Sequence, residues 1–549
     1  MISMFTLGVV IIGSLFCAIY KFIIHPLFLS PLSKIPAPHW SCHVSSLWNL
    51  WLVFRGPENK TIYRAHKSKG PILRIAPEVL SVNNHEGLKT IYGGGFEKPG
   101  FYAGRFSNYG LEPMFAMQNS RPHSVRKRML ANIFSKSNIL TSTQIREGTR
   151  AILSGRFLPA LQSSCDTGEP IEISRLSYAY AVDSFTWFQF GRSLASNMMQ
   201  DLVARKRYLD AFYRPRPYLI YLENFPRLSS WVTKLGIPVA PAWIHAAFAE
   251  LENWNLNLCD KAEVLLAESE TEKGKELEMD DIPAVYAQMR QAIEKMEPKL
   301  TPADWPQSSL RIASPPQLYR RRLEIATEMF DLNAAAQETS GITLIYTYYQ
   351  LSQRPDLMAR LREELLSLDP PLLFPSPAVS TSGGQSLPLP DAKALDALPI
   401  LNAIITETLR LYPAVPGAAP RVTPLSRSGT TLAGYPGIPG GITVQASAYT
   451  LHRNEDVFPN PEEWRPERWL DASPAHLTDM YHWFWAFGSG GRMCIGKHFG
   501  DNSIRFALAA VYTNFTTELV GDYAGRMEQK DGFIGGPGSD EVFVRFHQV

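Results

Sequence analysis

In the stretch FGSGGRMCIGKHFG, Phe487 to Gly500, a single cysteine, Cys494, stands among glycines with Arg492 two residues before it and a helical pattern starting just after. Three kinds of chemistry compete for such a sulfur. As a small buried apolar group it would do nothing, and its surroundings would go unexplained. As a nucleophile it would want a histidine; His498 is four positions on, but along one helix that spacing offers no oxyanion geometry. As a thiolate it can be the sole protein ligand of an iron held in a macrocycle, and here the neighbours acquire uses. Glycines at 488, 490 and 491 permit a tight turn whose amides point at sulfur, and the helix start that follows favours negative charge. Both tune how strongly the sulfur pushes electron density onto iron. Arg492 can pair with a carboxylate of the cofactor, and Phe487 can screen the sulfur from water.

The pattern Phe-x-x-Gly-x-Arg-x-Cys-x-Gly, met at Phe487, Gly490, Arg492, Cys494 and Gly496, resembles the signature of the cytochrome P-450 haem-thiolate monooxygenases. The resemblance implies haem b with Cys494 as axial ligand to iron. Other elements are similar in order and spacing. Glu407 and Arg410 in ETLRLYP lie three apart on one helical face, and Arg468 in WRPERW joins them in the family as a structural network behind the haem. HSVRKRMLANIFS, His123 to Ser135, resembles the helix that binds the haem propionates, with His123 and Lys127 at the binding positions. Many members carry tryptophan and arginine there, so Arg126, Lys127 and Arg128 all stay open as the contact, beside the plainer reading of a solvated basic face. Ala335 to Ser340, AAQETS, resembles the oxygen-handling segment: small residues let a helix approach a flat macrocycle, and a threonine hydroxyl bonded one turn back bends the helix into a pocket. The resemblance makes Thr339 a hydrogen-bond donor to dioxygen and Glu338 a relay for protons from solvent. It covers nearly the whole chain and is closest in kind to fungal microsomal members, many of which act on terpenoid, polyketide or alkaloid intermediates.

The elements that must position these residues read as one large, mainly α domain with minor β, the cytochrome P-450 fold. The chain has 549 residues, 45% of them apolar, enough for a large core. With 54 basic and 52 acidic residues, the net charge of +2 implies no attraction to nucleic acid. Five scattered cysteines without CxxC spacing argue against a disulfide framework or zinc cluster and for a reducing compartment. Residues 1–21 open with twenty uncharged positions, the length of a single transmembrane helix, and Lys21, His25 and Lys34 follow it. This predicts an anchor in the endoplasmic reticulum membrane with the catalytic domain facing the cytosol. Residues 22–50 then form a linker whose Pro26, Pro31, Pro36 and Pro38 forbid a continuing helix and favour a stiff connector, and the haem domain occupies 51–549. ILRIAPEVLSV, Ile72 to Val82, predicts two strands about a turn at Ala76-Pro77. Leu323 to Leu351, free of proline and apolar nearly all round, predicts a buried central helix. Glu268 to Pro316 and Pro370 to Pro390 read as surface loops, and Val542 to Phe546 as a late strand.

Aromatic and sulfur side chains gather in Phe101 to Met117 and in Ala211 to Phe225. Either can be ordinary core; the resemblance places them, with Phe330 to Ala334, Ala414 to Ala418 and Gly532 to Ile534, around a cavity for a lipophilic small molecule. No Gly-x-Gly-x-x-Gly precedes a helix, so electrons must come from another protein, an NADPH-cytochrome reductase docking on a basic face near Lys497 and His498. Besides monooxygenation, two functions fit a haem-thiolate chain: an isomerase or dehydratase working without a reductase, and a non-catalytic haem binder. Thr339 with Glu338 favours the first.

Overall fold

A helix of 35 residues, Gln317–Leu351, runs through the middle of the molecule, and the rest of the chain is arranged around it. The computed structural model describes residues 4–219, 226–271, 277–296, 317–374 and 387–549. The central helix is buried as its missing proline and small residues imply, but it is far more polar than an apolar reading allows: Glu324, Thr327, Glu328 and Glu338 are all buried. Buried polar groups need partners. Arg126 pairs with Glu324 and Glu328, and Thr327 donates to Asn108.

Helices Ile173–Phe190, Pro399–Leu411 and Lys497–Asn514 share one large apolar cluster with the carboxyl half of the central helix. At Gly341 an added Cβ would lie 2.3 Å from the Tyr178 ring, so glycine is what lets the Ile173–Phe190 helix come so near. The amino half is covered by helices Ser120–Leu130, Ala242–Thr271 and Ala284–Met296 in a second cluster. The last of these falls where charge and proline content predict a loop. Its Val285, Tyr286, Met289 and Ile293 are buried at helical spacing, a short period masked by the polar residues between them. The rest of that predicted loop, 272–276 and 297–316, lies outside the described residues. So do 375–386 of the second one, where the adjoining Leu387 and Leu389 are buried.

Strands Ile72–Ala76, Val79–Val82, Thr443–Gln445 and Arg421–Val422 form one sheet in that order, with an antiparallel, a parallel and an antiparallel pairing. The predicted hairpin at Ala76-Pro77 is its first pair. The late strand, Phe543–Gln548, lies between Ile171–Glu172 and Phe515–Leu519 in a second sheet.

At the amino end the chain departs from expectation. Helix Met4–Ile19 does not stop at Lys21 but continues as a wider π-helical segment, Tyr20–Leu29, with Pro26 inside it. A turn closing i to i+5, as Ser30 N–H does on His25 O at 2.8 Å, widens the helix enough to hold a proline. Gly8–Leu29 is the one helix among the described residues long and apolar enough to cross a membrane. The residues after it are docked: Leu32, Ile35 and Cys42 are buried, and the fully buried Arg74 donates to Pro26 O at 2.9 Å and approaches His43 Nδ1 at 3.0 Å.

Candidate active site

The Cys494 loop is built on backbone geometry. Gly488 and Gly490 take φ of +68° and +69°, and a Cβ on Gly490 would lie 2.1 Å from Tyr92 O. Only glycine suits that position. Cys494 N–H donates to Phe487 O at 3.0 Å and Met493 N–H to Gly490 O at 3.1 Å. The loop's entry is fixed by His452, whose Nε2 accepts from Trp485 N–H at 2.7 Å. From the opposite wall Lys127 Nζ donates to Gly491 O and Met493 O, both at 2.9 Å.

Cys494 keeps accessible surface, yet burial pushes its thiol pKa up, against the amides of Gly496 and Lys497 and the charge of Lys127. A side chain that is accessible but desolvated fits one facing an interior space rather than bulk water. The central helix borders the same space: Ala335 is exposed in the middle of a buried helix, and Ala336 packs, as Ile495 does, on the cluster that includes Phe499 and Met329. Thr339 donates its hydroxyl to Ala335 O at 2.9 Å, one turn back, as the small-residue segment predicts. Glu338 is less open than a group relaying protons directly from solvent would be. It is buried and paired with Arg216, whose side chain reaches the surface, among Tyr178, Tyr208 and Tyr213.

Five basic residues meet beside this space. Arg492 donates to Met117 O (2.6 Å) and Gln118 O (2.7 Å) and pairs with Glu97 at 3.2 Å. Burial and then Arg421 lower its pKa to about 10. Burial, Arg492, Lys98, Lys127 and Arg421 press that of His123 down to about 3. Lys98 falls well below its ordinary range through burial, Arg421 and Arg492. Cations crowded out of water with so little opposite charge call for an anion. A flat macrocycle bearing two carboxylates, with iron over a soft sulfur donor, fits this set, so the residues present suit a haem. His123 and Lys127, four apart on the Ser120–Leu130 helix, both face the cluster, whereas Arg126 is spent on the central helix and Arg128 is exposed. Lys98 and Arg421 escape sequence reasoning: they are distant in the chain, and neither sits in a motif. Phe487 is half-buried with Lys497 Nζ 5.2 Å from its ring centroid. His498 senses Lys497, Lys136, Asp396 and Arg505 rather than the sulfur.

Behind the loop, Glu407 is saturated. It accepts from Arg410 twice at 2.8 Å, from Arg468 at 3.0 Å, and from Trp469 Nε1 and the Arg465 amide at 2.9 Å each. Of the predicted cavity segments, Phe101, Tyr102, Phe106, Phe115 and Phe533 pack ring against ring. Phe330 meets Tyr109, and a Cβ on Gly417 would lie 2.6 Å from Phe533 Cα. Residues 220–225 lie outside the described residues.

Comparison with known proteins gives one family model, Cytochrome P450, matching residues 317–540. Curated relatives extend the match. "Cytochrome P450 monooxygenase hkm5" of Aspergillus hancockii is 25% identical over 94% of this chain and 90% of its own length. "Cytochrome P450 monooxygenase tazI" of Aspergillus terreus is 26% identical over 91% and 90%. "Cytochrome P450 monooxygenase avaI" of Aspergillus versicolor is 24% identical over 82% and 97%.

Proposed function

The chain belongs to the cytochrome P450 family and is a monooxygenase with a haem held by cysteine thiolate, and on that premise we propose that it oxidises a lipophilic intermediate of secondary metabolism, a terpenoid, polyketide or alkaloid. The observation that carries this reading is that the accessible Cys494 loop and the central helix's small-residue segment pack on one cluster through Ile495 and Ala336, with a group of desolvated cations beside them. Cys494 would hold the haem iron through its sulfur, whose charge the Gly496 and Lys497 amides moderate. When bound, the haem supplies the capacity to activate dioxygen and insert one of its atoms. Arg492, His123 and Lys127, with Lys98 and Arg421, would hold its carboxylates, and Phe487 would screen the sulfur from water. Thr339 would offer its hydroxyl as a proton donor from the central-helix side, and Glu338, through Arg216, would connect it with solvent.

The electrons come from an NADPH-cytochrome reductase docking near Lys497 and His498. The helix up to Leu29 holds the protein in the endoplasmic reticulum membrane by a single pass with the catalytic domain in the cytosol, and the haem domain takes in the docked residues from Leu32 onward. Two measurements test the proposal. The reduced, carbon-monoxide-treated protein is expected to show the red-shifted band of thiolate-ligated haem, and product should form only with NADPH and reductase present. Turnover without either would make the protein an isomerase or dehydratase instead.

A further inference from the structure

Soon after the apolar span Gly8–Leu29 comes a short helix, Leu47–Arg55, with its apolar side turned the wrong way for a core. Leu52 is buried and holds the helix to the domain, whereas Leu47, Trp51 and Phe54 keep 71%, 53% and 51% of their surface open. Those three stand four and then three positions apart, so they share one helical face, and Arg55 ends it four residues after Trp51. Rings and aliphatic groups closed off by an arginine suit a helix lying in the boundary of a bilayer, the rings at the acyl ends and the cation among the phosphates. Continuity with the span says what covers this face. Strand Ile72–Ala76, whose Arg74 donates to Pro26 O at the end of the span, packs on this same helix.

Arg55 also lines a cleft of about 850 Å³ between the Gly56–Pro57 turn and the loops at 525–531 and 538–541. Three other cations of the cleft are paired: Lys60 with Glu528, Lys530 with Asp540 and Arg175 with Glu541. Asp531 is taken by the Asn59 and Lys60 amides at 2.9 and 3.2 Å. Every carboxylate there has a donor. The remaining two guanidinium groups are spare: among the described residues Arg526 meets only the Asp522 carbonyl, at 3.5 Å, and no hydrogen bond or ion pair reaches Arg55. Guanidinium forks match phosphate oxygens, and a cleft of this volume takes a whole headgroup rather than a bare phosphate. Resting on the membrane-anchor reading above, we propose that the cleft binds the headgroup of an anionic phospholipid of phosphoinositol type. Its phosphate goes to Arg55 and Arg526, its hydroxyls to the carboxylates of the rim, and its acyl chains lie along Trp51 and Phe54.

The test uses full-length protein in detergent micelles, titrated with dioctanoyl phosphatidylinositol and with dioctanoyl phosphatidylcholine, the bound lipid being counted by native mass spectrometry. Wild type should hold the inositol lipid about ten-fold tighter or more. The double variant Arg55→Ala/Arg526→Ala should lose that preference while keeping its Soret absorption. Equal retention of the two lipids by wild type overturns the proposal, as does a preference that survives in the double variant. The wild-type comparison decides even if the variant fails to fold. Displacement of the lipid by equimolar inositol 1-phosphate or inorganic phosphate also overturns it, since the ligand is then a free phosphate and not a membrane lipid. Full-length protein found in the soluble fraction of detergent-free lysate sinks the anchor reading. A chain that pellets with the membrane yet holds both lipids equally sinks the headgroup site alone.

Discussion

Each reacting group in the site is set by a few atoms around it. Cys494 combines accessible surface with amides of Gly496 and Lys497 that favour its thiolate. Cys494→Ala removes the donor while leaving the turn, which depends on Gly488 and Gly490. The variant should purify without haem; one retaining full Soret absorption would contradict the ligand assignment. Thr339 is a different case. Its hydroxyl bonds only the Ala335 carbonyl in the described structure, and a helical carbonyl keeps its ladder bond without it. Thr339→Ala should therefore fold and bind haem normally. Its product per NADPH consumed should drop roughly ten-fold or more, the balance appearing as hydrogen peroxide. Unchanged coupling would remove Thr339 from the chemistry.

The elements behind the site act through burial. Glu407 receives five hydrogen bonds on the C-terminal half of helix Pro399–Leu411, from Arg410, Arg468, Trp469 and the Arg465 amide. Glu407→Ala strands two buried guanidinium groups, a loss of about 3–5 kcal/mol. Folded yield and Tm should fall before the character of the haem spectrum changes; an unaltered Tm would deny the network its structural role. His452 couples this helix to the cysteine loop. Because its Nε2 accepts from Trp485, its Nδ1 carries the hydrogen given to Arg410 O at 2.8 Å, which requires a neutral ring. Burial lowers its pKa from 6.5 to about 3, and likewise that of His66 to about 4. The unfolded chain thus binds more protons between these values, so stability is fully present above 6.5 and lost as pH falls toward 4. Glu58 and Glu328, both raised to about 7 by burial, act in the opposite sense, so the test is comparative: the Tm of wild type should decline more steeply as pH falls through that window than the Tm of His452→Asn, and identical slopes would mean this ring is not held neutral.

For the whole molecule, the amino-terminal segment is both apolar span and part of the fold. Gly8–Leu29 is exposed along its length, with mean hydropathy 1.9, whereas Leu32, Ile35 and Cys42 are buried against the sheet region. Truncation just before Ser30 should move the protein from the membrane pellet to the soluble fraction with haem retained. Truncation just before Leu47 also strips those three side chains, each worth about 1.5–3 kcal/mol or somewhat less for cysteine, and should lower Tm markedly. Equal Tm for the two truncated proteins would show the segment to be a mere spacer.

What the sequence by itself determined is whatever neighbours in the chain encode. The turn around Cys494, the back-bonded Thr339, the spacing of Glu407 and Arg410, the hairpin at Ala76-Pro77 and the proline-free central helix are local, because periodicity, glycine and backbone bonding act over a few residues. Only the tertiary structure decided the rest. It brought Lys98 and Arg421 to Arg492 and His123, drew Arg126 away to Glu324, and paired Glu338 with Arg216. It also carried the first helix through Pro26, where a wider turn absorbs what a regular helix cannot. These outcomes depend on which groups lose water together and which charges then stand opposite one another, and desolvation and Coulomb interaction act through space, without regard to separation along the chain.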